Sequence, residues 1–153
     1  MGRPGRTIHE EPMRKLASVQ VVNTAEPIAN ADAIERIRIL GWWVVVKKGE
    51  FKPGDKVVYC EIDSLLPERP EFEFLRPSSF KPAITDDAGV TIQAAGFQIK
   101  TIRLRGQVSQ GICFPLSILP PGITVGEGED VTESLSVRKW EPPVPVGMDS
   151  KGQ

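Results

Sequence analysis

Arg103 and Arg105 stand two residues apart in the segment Ile99-Lys100-Thr101-Ile102-Arg103-Leu104-Arg105-Gly106-Gln107-Val108-Ser109-Gln110-Gly111. A guanidinium is planar, permanently charged and forked, and it meets phosphate oxygens through paired hydrogen bonds. On a β-strand a spacing of two sends both side chains to one face. Ile102 and Leu104 then point the other way, toward a core. The segment adds Lys100 and holds no acid, inside a chain whose formal net charge is −1. The chemistry this predicts is recognition of phosphate, and specifically of a nucleic-acid backbone. Gln107, Ser109 and Gln110 lie between Gly106 and Gly111 and read as a tight polar turn where backbone can come close to a ligand. Lys47 and Lys48 form a second cationic cluster beside Phe51, which reads as exposed, and Arg36 and Arg38 form a third outward pair. Each of these patterns is also that of ordinary solvated charge.

Other chemistries find no footing. His9 is the one histidine, so no Ser-His-Asp set can be built, and it and two separated cysteines make no metal cluster. No Walker-type glycine loop is present. No Lys-x-Asp-Gly or Lys-x-Glu-Gly element occurs, so a covalent lysyl-nucleotide mechanism has no candidate lysine. Glu61, Asp63, Glu68, Glu71 and Glu73 read as a solvated acidic rim. Cys60 and Cys113 read as buried, reduced thiols in strands. No secretory signal and no apolar run long enough to span a membrane are visible, so the expected location is intracellular, in the cytoplasm. A pI near 5.9 means that any nucleic-acid site is a local patch.

The elements that must position these residues are short. The chain has 153 residues with 14 Gly and 14 Pro, enough for one domain plus tails. Residues 1–14 read as a flexible tail. Strands are expected at Leu16–Val22, Ile34–Leu40, Trp42–Lys47, Lys56–Ile62, Phe97–Leu104 and Gly111–Phe114. Ile37 and Ile39 alternate with Arg36 and Arg38. Of Trp42 and Trp43, one should face in and one out. Lys52-Pro53-Gly54-Asp55 is a turn. Asn23–Asp32 and residues 76–95 read as loops, Glu71–Leu75 and Val131–Leu135 as helical turns, with Thr132 a candidate N-cap. The sum is an all-β chain of five or six strands, best fitted by a small OB-like barrel over 15–136, with a β-sandwich as the other architecture. Residues 137–153, with Pro142, Pro143 and Pro145, read as a linker.

Gly41-Trp42-Trp43-Val44-Val45-Val46-Lys47-Lys48-Gly49-Glu50-Phe51-Lys52-Pro53-Gly54-Asp55 leads into Val58-Tyr59-Cys60-Glu61-Ile62-Asp63-Ser64-Leu65-Leu66-Pro67. Phe72-Glu73-Phe74-Leu75-Arg76, Ile99 to Gly111, and Asp130-Val131-Thr132-Glu133 before Lys139-Trp140-Glu141-Pro142-Pro143 follow in order. Together these five blocks resemble the N-terminal module of the Deinococcus-type ATP-dependent RNA ligases, which seal nicks with a 3′-OH RNA end. The resemblance implies an OB-like domain joined to a C-terminal nucleotidyltransferase domain that carries the adenylylated lysine and uses ATP and a divalent metal. This chain stops after the linker-like prolines and lacks that lysine, so it is expected to hold no cofactor and to be inactive alone. The implied partners are an RNA-containing nicked duplex and the catalytic domain. Two alternatives stay open: a docking module for that domain with little RNA contact, and a free-standing tRNA-binding OB protein, suggested by Asn30-Ala31-Asp32.

Overall fold

The run Lys56-Val57-Val58-Tyr59-Cys60 is almost unbroken apolar sequence, the mark of a strand buried on both faces. A computed structural model describes residues 15–141 and places this run at the centre. The strands are β1 (Ala17–Val21), β2 (Thr24–Pro27), β3 (Ile34–Ile39), β4 (Trp42–Lys47), β5 (Lys56–Cys60), β6 (Ser64–Leu66), β7 (Phe80–Lys81), β8 (Ile84–Thr85), β9 (Thr91–Gln93), β10 (Gly96–Gln98), β11 (Thr101–Leu104), β12 (Gln107–Gln110), β13 (Ile112–Pro115) and β14 (Arg138–Lys139). A 3-10 segment, Pro70–Leu75, runs into a single helical turn, Arg76–Ser79.

β5 is flanked by antiparallel β1 and β13. Val57 and Tyr59 face one apolar cluster with Val22, Ile37, Ile39, Val44, Val46 and Phe51. Val58 and Cys60 face a second cluster with Leu66, Phe72, Phe97, Phe114, Val131 and Leu135. The first cluster fills a barrel. The second lies between the barrel wall and an outer layer made of β14-β6-β10-β7 and the 3-10 segment. After Val21 the chain leaves β5 and joins β3 through β2, so one stretch of chain serves both sheets and turns the barrel corner.

Several sequence expectations change here. The strand expected over Phe97–Leu104 is two, β10 and β11, and Ile102 and Leu104 are 46% and 39% exposed instead of core. The polar turn expected at Gly106–Gly111 is strand β12, paired with β11. The loop expected over 76–95 holds the β8–β9 hairpin, and the Asn23–Asp32 link holds β2. Phe51 is 7% exposed, so it belongs to the core. The helical turn expected at Val131–Leu135 is a run of hydrogen-bonded turns. Thr132 caps no helix: its hydroxyl accepts from the Ala17 N–H at 3.1 Å and so clamps β1. Arg138 and Lys139, inside the expected linker, pair with Leu65 and Ser64 of β6. Residues 1–14 and those from 142 onward lie outside the described residues.

Cys60 and Cys113 are both free and buried. They belong to different apolar clusters, on opposite faces of the sheet, so they cannot bond. Burial pushes the Cys60 thiol up to about 12 and the Cys113 thiol well above its ordinary value, leaving both unreactive.

Gly111 joins β12 to β13 at φ 111°, and a Cβ there would run into the Tyr59 ring. Gly111→Ala combines positive-φ strain with overpacking of a buried ring and should cost about 2–4 kcal/mol, read as a lower urea midpoint with little change in slope.

Candidate nucleic-acid interface

β11 and β12 form a hairpin that stands beside the barrel. Its corner is Arg105-Gly106, at φ 51° and 81°. Two consecutive positive-φ residues make the tight turn whose twist suits a two-residue hairpin. Arg105 therefore sits on the turn, not on the strand. The two arginines do not share a strand face as their spacing predicts. Both are exposed, Arg103 from β11 and Arg105 from the tip. Arg103 Nη1 donates to the Gly106 carbonyl at 3.2 Å, which steadies the turn. Neither arginine has a carboxylate partner among the described residues.

Lys47 ends β4 and Lys48 follows it, both exposed. Lys47 and Leu104 line the same cleft of about 710 Å³, so the structure brings this lysine to the hairpin. Lys48 is held by its backbone, N–H to the Ala33 carbonyl at 2.9 Å. Lys100, at the foot of the hairpin, lines an adjoining cleft of about 360 Å³. It belongs with the other cations and was legible in the acid-free segment.

The polar residues of β12 have structural duties. Ser109 is 3% exposed. Its hydroxyl accepts from the Val45 N–H at 2.9 Å, joining β12 to β4. That commitment takes its side chain out of reach of a backbone phosphate. Gln107 accepts from Arg36 Nη1 at 2.9 Å and donates from Nε2 to the Val108 carbonyl at 2.9 Å. The Gln110 carbonyl accepts from the Tyr59 phenol at 2.7 Å, and the residue lines a small cavity with Trp42.

Arg36 is less free than its outward position implies. It pairs with Glu26 at 2.6 Å and lies 4.0 Å from the centre of the Trp43 ring. Arg38 lies 4.6 Å from the same ring. Trp43 is thus the outward tryptophan, held by cation–π contact. Trp42 shares the inward face with Val44 and Val46, yet it is 40% exposed because the barrel opens there. The acidic rim is mostly paired. Arg76 bridges Glu68 at 2.7 Å and Glu73 at 2.9 Å, and its hydrogen bond holds the Glu73 carboxyl below the usual range. Among the described residues no group of His, Cys, Asp and Glu is placed to hold a metal ion, and no helix is long and apolar enough to cross a membrane.

A family model for an OB-fold domain matches residues 16–116. The chain belongs to the OB-fold domain family. The OB fold accounts for the corner at β1–β2 and for the all-β barrel around the first cluster. Among solved structures it is similar to the RNA ligase of Naegleria gruberi. A variant of that ligase with ATP and manganese is 41% identical with a TM-score of 0.71, covering 86% of this chain and 37% of the ligase. The pyrophosphate-bound form is 40% identical at 0.72, covering 88% and 38%. A further variant with AMP and manganese is 39% identical at 0.73, again covering 88% and 38%. This OB-fold chain therefore spans under two-fifths of the ligases it matches. No curated protein sequence matches it.

Ser109→Ala takes the acceptor from the partly buried Val45 N–H and should cost about 1 kcal/mol in a urea melt. Arg105→Ala, at an exposed corner, should leave the same melt within about 0.5 kcal/mol.

Proposed function

We propose that this OB-fold chain is the N-terminal nucleic-acid-binding module of a nick-sealing RNA ligase of the Deinococcus type. The observation that carries the reading is the projecting, acid-free β11–β12 hairpin on a chain about 40% identical to an RNA ligase over most of its length. The module engages an RNA-containing nicked duplex and orients it for a separate nucleotidyltransferase domain. Arg103 and Arg105 grip backbone phosphates, and Lys47, Lys48 and Lys100 support them. Gln107 and Ser109 act indirectly, by fixing the hairpin against the barrel. ATP, a divalent metal and the adenylylated lysine belong to the other domain. The residues of this chain do not fit them, since it has no Lys-x-Asp-Gly or Lys-x-Glu-Gly element.

One observation favours a docking role beside RNA contact. Phe74 is 63% exposed, and it faces the cleft that Leu104 also lines. A mostly apolar cleft edged by Lys47, Glu50 and Glu71 suits a protein neighbour, and the catalytic domain is the candidate.

Phosphate contacts release counterions, so affinity falls with salt in proportion to their number. For a nicked duplex with a 3′-OH RNA end, five contacts give a log–log slope of about −4 to −5. Arg103→Ala with Arg105→Ala should flatten it by about 2. An absence of binding in low salt, or a double variant with an unchanged slope, removes the direct-contact reading. Phe74→Ser should leave RNA affinity within about twofold, since an exposed apolar side chain carries no phosphate contact. It should abolish pull-down of an RNA-ligase nucleotidyltransferase domain supplied in trans. If pull-down survives, the docking role fails.

A further inference from the structure

Trp42 opens β4 opposite Ile39, on the face that lines the barrel. A tryptophan there would normally be covered, but this one is 40% exposed. With Tyr59, Ile62, Glu61 and Gln110 it encloses a cavity of about 250 Å³ at the barrel end. Its lining is mostly aromatic and aliphatic, from Trp42, Tyr59 and Ile62, with Glu61 and Gln110 as its polar members. That is the make-up of a small-ligand site: flat apolar faces with a few placed hydrogen-bonding groups.

We propose that this cavity receives a single unstacked nucleobase of an RNA strand. The proposal rests on the reading of the chain as an RNA-binding module and assigns a site on it apart from the basic hairpin. Trp42 supplies the stacking face, and such stacking is tolerant of base identity because every base has a π-face. The Tyr59 phenol is spent on the Gln110 carbonyl at 2.7 Å, which fixes the floor of the cavity and the course of β12. Gln110 also lines the cavity, and its amide carries both a donor and an acceptor, as the edge of a base requires. A base in a duplex has both faces stacked and cannot enter. The site therefore selects single-stranded RNA, or a nucleotide freed at a break.

The test compares binding of a hexaadenylate RNA with that of an abasic ribose-phosphate hexamer of the same length. The wild-type chain should bind the base-bearing hexamer about tenfold more tightly, the effect expected for one stacked base. It should also show quenching of tryptophan fluorescence with that hexamer alone. Trp42→Ala should erase the tenfold preference and leave abasic binding unchanged. Ile62→Trp, which fills the cavity, should do the same, and it serves if Trp42→Ala fails the folding control by circular dichroism. Equal affinity of the wild type for the two hexamers overturns the pocket. So does a folded variant of either kind that keeps the preference. If the salt-dependent, Arg103- and Arg105-dependent binding persists in that case, the pocket falls and the module reading stands. Absence of any binding at low salt overturns both.

Discussion

The Val45 N–H donates to the Ser109 hydroxyl at 2.9 Å, and the position of the hairpin depends on that bond. Elsewhere around the barrel, strands meet through backbone ladders. Between β4 and β12 a side chain stands in for the ladder. A side-chain acceptor holds the strands together while letting β12 pair fully with β11 instead. The hairpin is thereby anchored along one strand and free along the other. Gln107 to Arg36 and Tyr59 to Gln110 fasten the two ends of β12. An exposed strand with a two-residue corner is thus carried on a fixed base, a rigid way to offer two guanidinium groups to solvent.

The second constraint is the double burial of β5. An isolated OB barrel buries one face of its wall and wets the other. Here Val58 and Cys60 send the outer face into a second core, covered by Phe72, Phe97 and Leu66. The outer layer supplies Glu71 and Phe74, both on the 3-10 segment, to the far bank of the cleft beside the hairpin. The barrel supplies the basic arm and the outer layer supplies the apolar wall facing it, so charge and apolar surface meet along one groove. Electrostatic contacts reward encounter with a polyanion, and apolar contacts reward a shape-matched neighbour. The proposed RNA contact and the proposed docking contact would share this groove.

Much of this was legible in the residues. The alternation in Ile34–Ile39, the apolar run of β5 and the Pro-Gly turn at residues 53–54 follow directly from strand period and turn chemistry. The all-β barrel follows from them. What escaped was set by residues in uncommon backbone states. Arg105 and Leu40 both adopt positive φ next to a glycine, and neither side chain advertises it. Reading Arg105 as strand placed both arginines on one face and sent Ile102 and Leu104 to the core. Reading Gly106–Gly111 as a turn hid β12, because Gln-Val-Ser-Gln carries one apolar residue. The burial of Ser109 and the exposure of Trp42 depend on which strand lies alongside, a matter of register that no local pattern encodes.

The central claim is that the β11–β12 hairpin is the surface that meets RNA. Hydrogen–deuterium exchange on the chain, with and without a nicked duplex bearing a 3′-OH RNA end, tests it most directly. The account predicts slower exchange in residues 101–107 and around Lys47 and Lys48 when RNA is added, with residues 70–79 unchanged. Slower exchange confined to residues 70–79, with the hairpin unaffected, would contradict it.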